Sequence, residues 1–71
     1  MAAQRSSRGA RVAQARREAG FSQQTLADKL GIGRQSIARI EAGRQVPSVD
    51  VALAISRELG ESVEALFGAG A

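Results

Sequence analysis

The residues best equipped for chemistry are arginines and glutamines, and the most suggestive group is Arg34, Gln35, Ala38 and Arg39. On a helix they share the exposed early face, opposite Ile37 and Ile40. A guanidinium can hold guanine O6 and N7 with two hydrogen bonds, and a glutamine amide can hold adenine N6 and N7 in the same way. Base readout is therefore the expectation for Gln35. Arg34 and Arg39 divide between base readout and a phosphate contact, and a solvated helix face is the plain alternative for all four. Catalytic chemistry finds no support, because the chain has no His, Cys, Tyr or Trp and its seven acids are scattered or on outward faces. Lys29 falls on an outer helix face. No ligand cluster suggests a metal, and no glycine-rich loop follows a strand to cradle a nucleotide. The expectation is a non-enzyme with no cofactor and no metal.

Two short helices joined by a tight turn, Gln23 to Ile40, must position that face. Leu26, Ala27 and Leu30 fall on one side of the first, and Ile37 and Ile40 on one side of the second. Gly31 sits where the chain turns sharply, and Ile32 can plug the elbow from inside. Small Ala27, then the turn glycine, then branched Ile37 make a helix-turn-helix pattern.

The rest of the chain supplies neighbours for this pair. Residues 1–7 read as a loose arm whose Arg5, with Arg8 just beyond it, can reach a phosphate backbone or simply be solvated. A first helix is expected from Arg8 to Ala19, with Val12, Ala15 and Ala19 as its apolar stripe and Phe21 packing back after Gly20. Ser22 caps the second helix, Gln23 to Leu30, and Gly33 begins the third, Arg34 to about Ala42. A basic loop from Arg44 to Pro47 follows. Ser48 caps a fourth helix with Val49, Ala52, Ile55, Ser56 and Leu59 inward. Ser62 caps a short fifth whose Val63, Leu66 and Phe67 pack inward. Gly20, Gly31, Gly43 and Gly60 punctuate the four helix ends. No stretch alternates with period two, so the expected class is all-α, a compact five-helix domain over residues 8–67 with a frayed tail at 68–71.

Composition narrows the partners. Seventy-one residues make one small domain, and without cysteine no disulfide supports it. No apolar run approaches the ~20 residues that span a bilayer, and no signal-peptide core precedes the first helix, so the expected location is the cytoplasm with no membrane partner. Through Arg44 the chain carries eight Arg and one Lys against three acids, a net of +6; from Gln45 on, one Arg against four acids, a net of −3. A basic half joined to an acidic tail is the footprint of a polyanion binder.

From Val12 to Phe67 the chain resembles the lambda-repressor-like DNA-binding domains of the Xre/Cro type. The matching segments are R-x-E-A-G-F-S-Q at 16–23, L-A-x-K-L-G at 26–31 and R-Q-S-I-A-R-I-E-A-G-R at 34–44, with P-S at 47–48 and L-G-E-S-V-E-A-L-F at 59–67. The resemblance implies a five-helix domain that binds operator DNA, usually as a dimer on inverted half-sites, with helix three in the major groove. It also implies an ion pair between Arg16 and Glu41 that joins helix one to helix three. Gly33 departs from the Ser or Thr common at its position, and Ser56 from the usual alanine; a serine there can back-bond within its helix.

The leading reading is a sequence-specific regulator of transcription, a repressor, acting on double-stranded DNA as a homodimer on an inverted repeat. Gln23, at the start of helix two, and Arg44 are the expected backbone contacts, with Arg44 also placed to stabilise the end of helix three. Gly33 and Ser36 can permit or make contacts near the helix start. Val63, Phe67 and Val51 are candidates for a small dimer surface, or for the monomer core. A protein-masking module is the competing class. Single-stranded binding lacks stacking aromatics, since both phenylalanines read as buried.

Overall fold

The structure, a computed structural model, describes residues 9–68 of the chain. Five helices follow one another: α1 Ala10–Glu18, α2 Gln23–Leu30, α3 Arg34–Glu41, α4 Val49–Leu59 and α5 Glu64–Gly68. No strand occurs among the described residues. The expected arm and all of the expected tail except Gly68, which closes α5, lie outside them.

Local chemistry sets the boundaries. Ser22 takes an extended conformation and its hydroxyl oxygen accepts the Thr25 N–H; Ser48 does the same for Val51, and Ser62 for Ala65. Each satisfies a backbone donor that the first turn of a helix leaves without a partner. At the other ends the chain turns back so that an N–H beyond the helix reaches a carbonyl five residues earlier. The bonds are Phe21 to Arg16, Ile32 to Ala27, Arg44 to Arg39 and Glu61 to Ser56. In the α2–α3 turn this closure requires Gly31 at φ 73°, where a Cβ would be strained.

Two apolar clusters fill the interior. Val12 and Ala15 of α1, Ile40 of α3, Ile55 of α4 and Leu66 of α5 form one. Leu26, Ala27 and Ile37 form the other, with Phe21 and Ile32 against it, so α2 and α3 lock face to face at the turn. Leu30 and Leu59 touch both clusters. Both phenylalanines are half-buried rather than enclosed.

Some expectations change. The α1 helix ends one residue early and Ala19 is exposed; it is in phase with Val12 but past the last turn, where the chain leaves at Gly20. Ala13 is buried instead, because α1 packs against both α3 and α5 and its covered surface is wider than one stripe. The α3 helix likewise stops at Glu41, with Ala42 as its cap. Val49 points outward, since the inward side of α4 centres on Ile55 and takes in Val51, which rotates Val49 out of the covered arc. Ser56 does not back-bond within its helix: its hydroxyl donates forward to the Glu61 carbonyl, beyond the helix end.

One close approach has no counterpart in local sequence. Gly9, just before α1, lies against the backbone of α3, and a Cβ there would collide with the Ile40 carbonyl oxygen and with Glu41. Glycine is required there for space, since its φ of −77° is open to any residue.

Candidate functional site

Helix α3 has two unlike sides. Inward, Ile37 and Ile40 are buried and Glu41 is held by a network. Outward, Arg34, Gln35 and Arg39 are exposed, with Ala38 half-exposed between them. Neither these three long side chains nor Arg44 makes a hydrogen bond or ion pair among the described residues. The nearby acids are occupied: Asp28 accepts from the Gln24 amide at 2.9 Å, and Glu41 is paired. Cations and an amide thus stand out on a helix face with no acceptor among the described residues, which suits an external acceptor.

The orientation of that face rests on Glu41. Arg16 Nε donates to Glu41 Oε2 at 2.7 Å and Arg16 Nη2 to Oε1 at 3.3 Å, a two-pronged pair whose side chains are 11% and 7% exposed. The third guanidinium nitrogen, Nη1, donates to the Phe21 carbonyl at 2.8 Å. Gln23 Nε2 donates to Glu41 Oε1 at 2.9 Å. One carboxylate at the end of α3 therefore ties α1 to the start of α2, and Arg16 adds the α1–α2 connection. Two parallel N–H···O bonds fix angle as well as distance, so this pair resists rotation of α3 about its axis.

Gln23, expected at a DNA backbone, is turned by this network toward the protein. One of its two amide hydrogens is on Glu41, which leaves the other for an external acceptor. The backbone N–H groups of Gln23 and Gln24 precede the first helical bond of α2 and lie at its positive end. Gly33 is the N-cap of α3 without a side-chain cap bond, in an ordinary extended conformation with nothing near the place of a Cβ. Ser36 is half-buried, and its N–H bonds the Gly33 carbonyl at 3.0 Å.

Sequence reasoning missed three supports: the Gln23–Glu41 bond, the Gly9 contact and the hold of Arg11 Nη1 on the Ala65 carbonyl at 3.1 Å. Each joins residues at least 18 apart, and no periodicity or spacing signals it. Among the described residues no three His, Cys, Asp or Glu side chains gather as metal ligands, and no helix is long and apolar enough to cross a membrane.

The chain is similar to known proteins. A family model described as Helix-turn-helix matches residues 12–66. An uncharacterized HTH-type transcriptional regulator of Methanothermobacter thermautotrophicus is 43% identical over 53 residues, which cover 73% of this chain and 77% of that protein. The uncharacterized HTH-type transcriptional regulator YgzD of Bacillus subtilis is 37% identical over 57 residues, covering 80% and 86%. The crystal structure of the restriction-modification controller protein C.AhdI from Aeromonas hydrophila superposes with a TM-score of 0.77 at 30% identity, over 84% of this chain and 91% of that one.

Proposed function

This chain belongs to the helix-turn-helix family of the Xre, lambda-repressor-like type, and from that premise we propose that it is a sequence-specific DNA-binding regulator of transcription. It acts as a repressor, by occupying an operator, and not as an enzyme; its place is the cytoplasm. The observation that carries the reading is the outer face of α3, where Arg34, Gln35 and Arg39 are exposed and have no hydrogen-bond or ion-pair partner among the described residues, while the inner face is locked.

In this reading α3 lies in the major groove. Gln35 and Arg39 meet base edges, with Arg34 beside them and Ala38 leaving room for a close approach. Backbone contacts come from Arg44, from the free amide hydrogen of Gln23 with the first N–H groups of α2, and from the start of α3 at Gly33 and Ser36. Arg16 and Glu41 act structurally by holding α3 at its angle. A single recognition helix reads only a few base pairs, too few to mark one site in a genome. Two copies on an inverted repeat, with recognition helices ~34 Å apart in successive major grooves, supply the rest.

Selection from a random duplex library tests this directly. The expected product is an inverted repeat with half-sites one helical turn apart, bound with an affinity that falls steeply with salt as counterions are released. A bound pool with no common sequence, or an affinity indifferent to salt, would overturn the proposal.

A further inference from the structure

The outer face of α4 is where the fold leaves large apolar side chains in water. Val46 is 76% exposed, Val49 74% and Leu53 42%. Val49 and Leu53 are one turn apart on the side of α4 away from buried Ile55, and Val46 lies three residues before Val49 in the preceding loop. Among the described residues no other large apolar side chain is so exposed. Single exposed valines are ordinary, but Val49 and Leu53 one turn apart on the same side of α4, with exposed Val46 just before the helix, form a patch. Of the residues first expected to pair copies, Val51 and Phe67 pack against the first core cluster, and Val63 is half-buried.

We infer that this face receives a second copy of the chain, α4 against α4, antiparallel about a twofold axis passing close to Leu53. The charges select that partner and that direction. Asp50 in the first turn and Arg57 in the last are both exposed, seven residues apart and so on the same side as Leu53. The midpoint between positions 50 and 57 falls between Leu53 and Ala54. An antiparallel pair centred there sets Asp50 of each copy against Arg57 of the partner subunit twice over, with the leucines meeting at the axis. Parallel pairing would set like charges side by side. A twofold interface must be complementary to itself, and this patch is. Three apolar side chains are few beside the ~20–30 residues a side of a standard interface, so the free dimer is weak, and simultaneous binding to two half-sites consolidates it. The surface rests on the DNA reading for its purpose but is measurable without DNA.

The test uses the full chain. Leu53→Glu should weaken self-association in sedimentation equilibrium by about tenfold or more, through charge repulsion at the axis, while affinity for an isolated half-site stays unchanged. Asp50→Arg and Arg57→Asp should each weaken the dimer, and the double reversal should restore it. Because the chain has no cysteine, Leu53→Cys should oxidise to a covalent dimer, while Glu18→Cys on α1 should not. Circular dichroism checks that each variant is folded. A dimer unchanged by Leu53→Glu, or a double reversal no better than the single variants, overturns the surface. A wild-type chain that stays monomeric on a full inverted repeat also overturns it, yet leaves half-site reading by Gln35 standing. A wild-type dimer that binds no duplex removes the DNA reading and leaves the surface intact.

Discussion

Helices α3 and α4 are both amphipathic and both contribute an isoleucine to the first core cluster, Ile40 and Ile55, yet their outer faces are opposite in character. The outer face of α3 carries Arg34, Gln35 and Arg39, all polar and without a partner among the described residues. That of α4 carries Val49 and Leu53 flanked by one acid and one base. Folding demands only the inner faces, so what stands outside reports on partners. Unpaired cations and an amide suit phosphates and base edges. Apolar side chains ringed by matched charges suit another protein surface. The two helices also differ in how firmly they are aimed: α3 is gripped by the Glu41 network and by Gly9, whereas α4 is held chiefly by apolar packing.

The largest effect should come from the grip on α3. Glu41→Ala strands the nearly buried Arg16 guanidinium, and urea denaturation should show a loss of about 3–5 kcal/mol. A loss below ~1 kcal/mol, the level of an exposed pair, would mean that apolar packing alone aims α3. Next is the contrast between the two sides of α4. Ile55→Ala should lose about 2–5 kcal/mol, while Leu53→Ala in dilute, monomeric protein should stay within ~0.5 kcal/mol of the parent. Equal losses would erase the distinction between the faces. Gly9→Ala should destabilise by about 1–3 kcal/mol, because the added methyl meets α3 backbone that cannot give way as a flexible side chain would; thermal denaturation reads it.

On the outer face, Gln35→Ala should remove about 1–3 kcal/mol of discrimination at one base pair while leaving stability unchanged. Arg44→Ala should weaken all sequences alike and flatten the salt dependence by about one unit. If Arg44→Ala changed base preference and Gln35→Ala did not, the assigned roles would be exchanged. The smallest effect is expected of Gly33→Ser. The backbone there is ordinary and the space open, so the serine can cap α3 and raise stability by a few tenths of a kcal/mol.

The sequence by itself determined what depends on short-range chemistry. The capping hydroxyls of Ser22, Ser48 and Ser62 and the glycines closing α1 to α4 act within a few residues, so the number of helices and most of their limits could be read directly. The helix-turn-helix was legible for the same reason: Leu26, Ala27, Gly31 and Ile37 stand at spacings that the backbone fixes. Tertiary structure decided how far each helix is rotated and what meets what. Val49 stood at the edge of an apolar arc, and only the packing of Ile55 and Val51 placed it outside. Gln23 sat at a helix start facing either solvent or protein, and a carboxylate 18 residues away claimed its amide. Gly9 carried no local sign that α3 would press against it. Such contacts follow from three-dimensional closure of the chain, in which residues far apart compete for one space, and no spacing along the sequence encodes the winner.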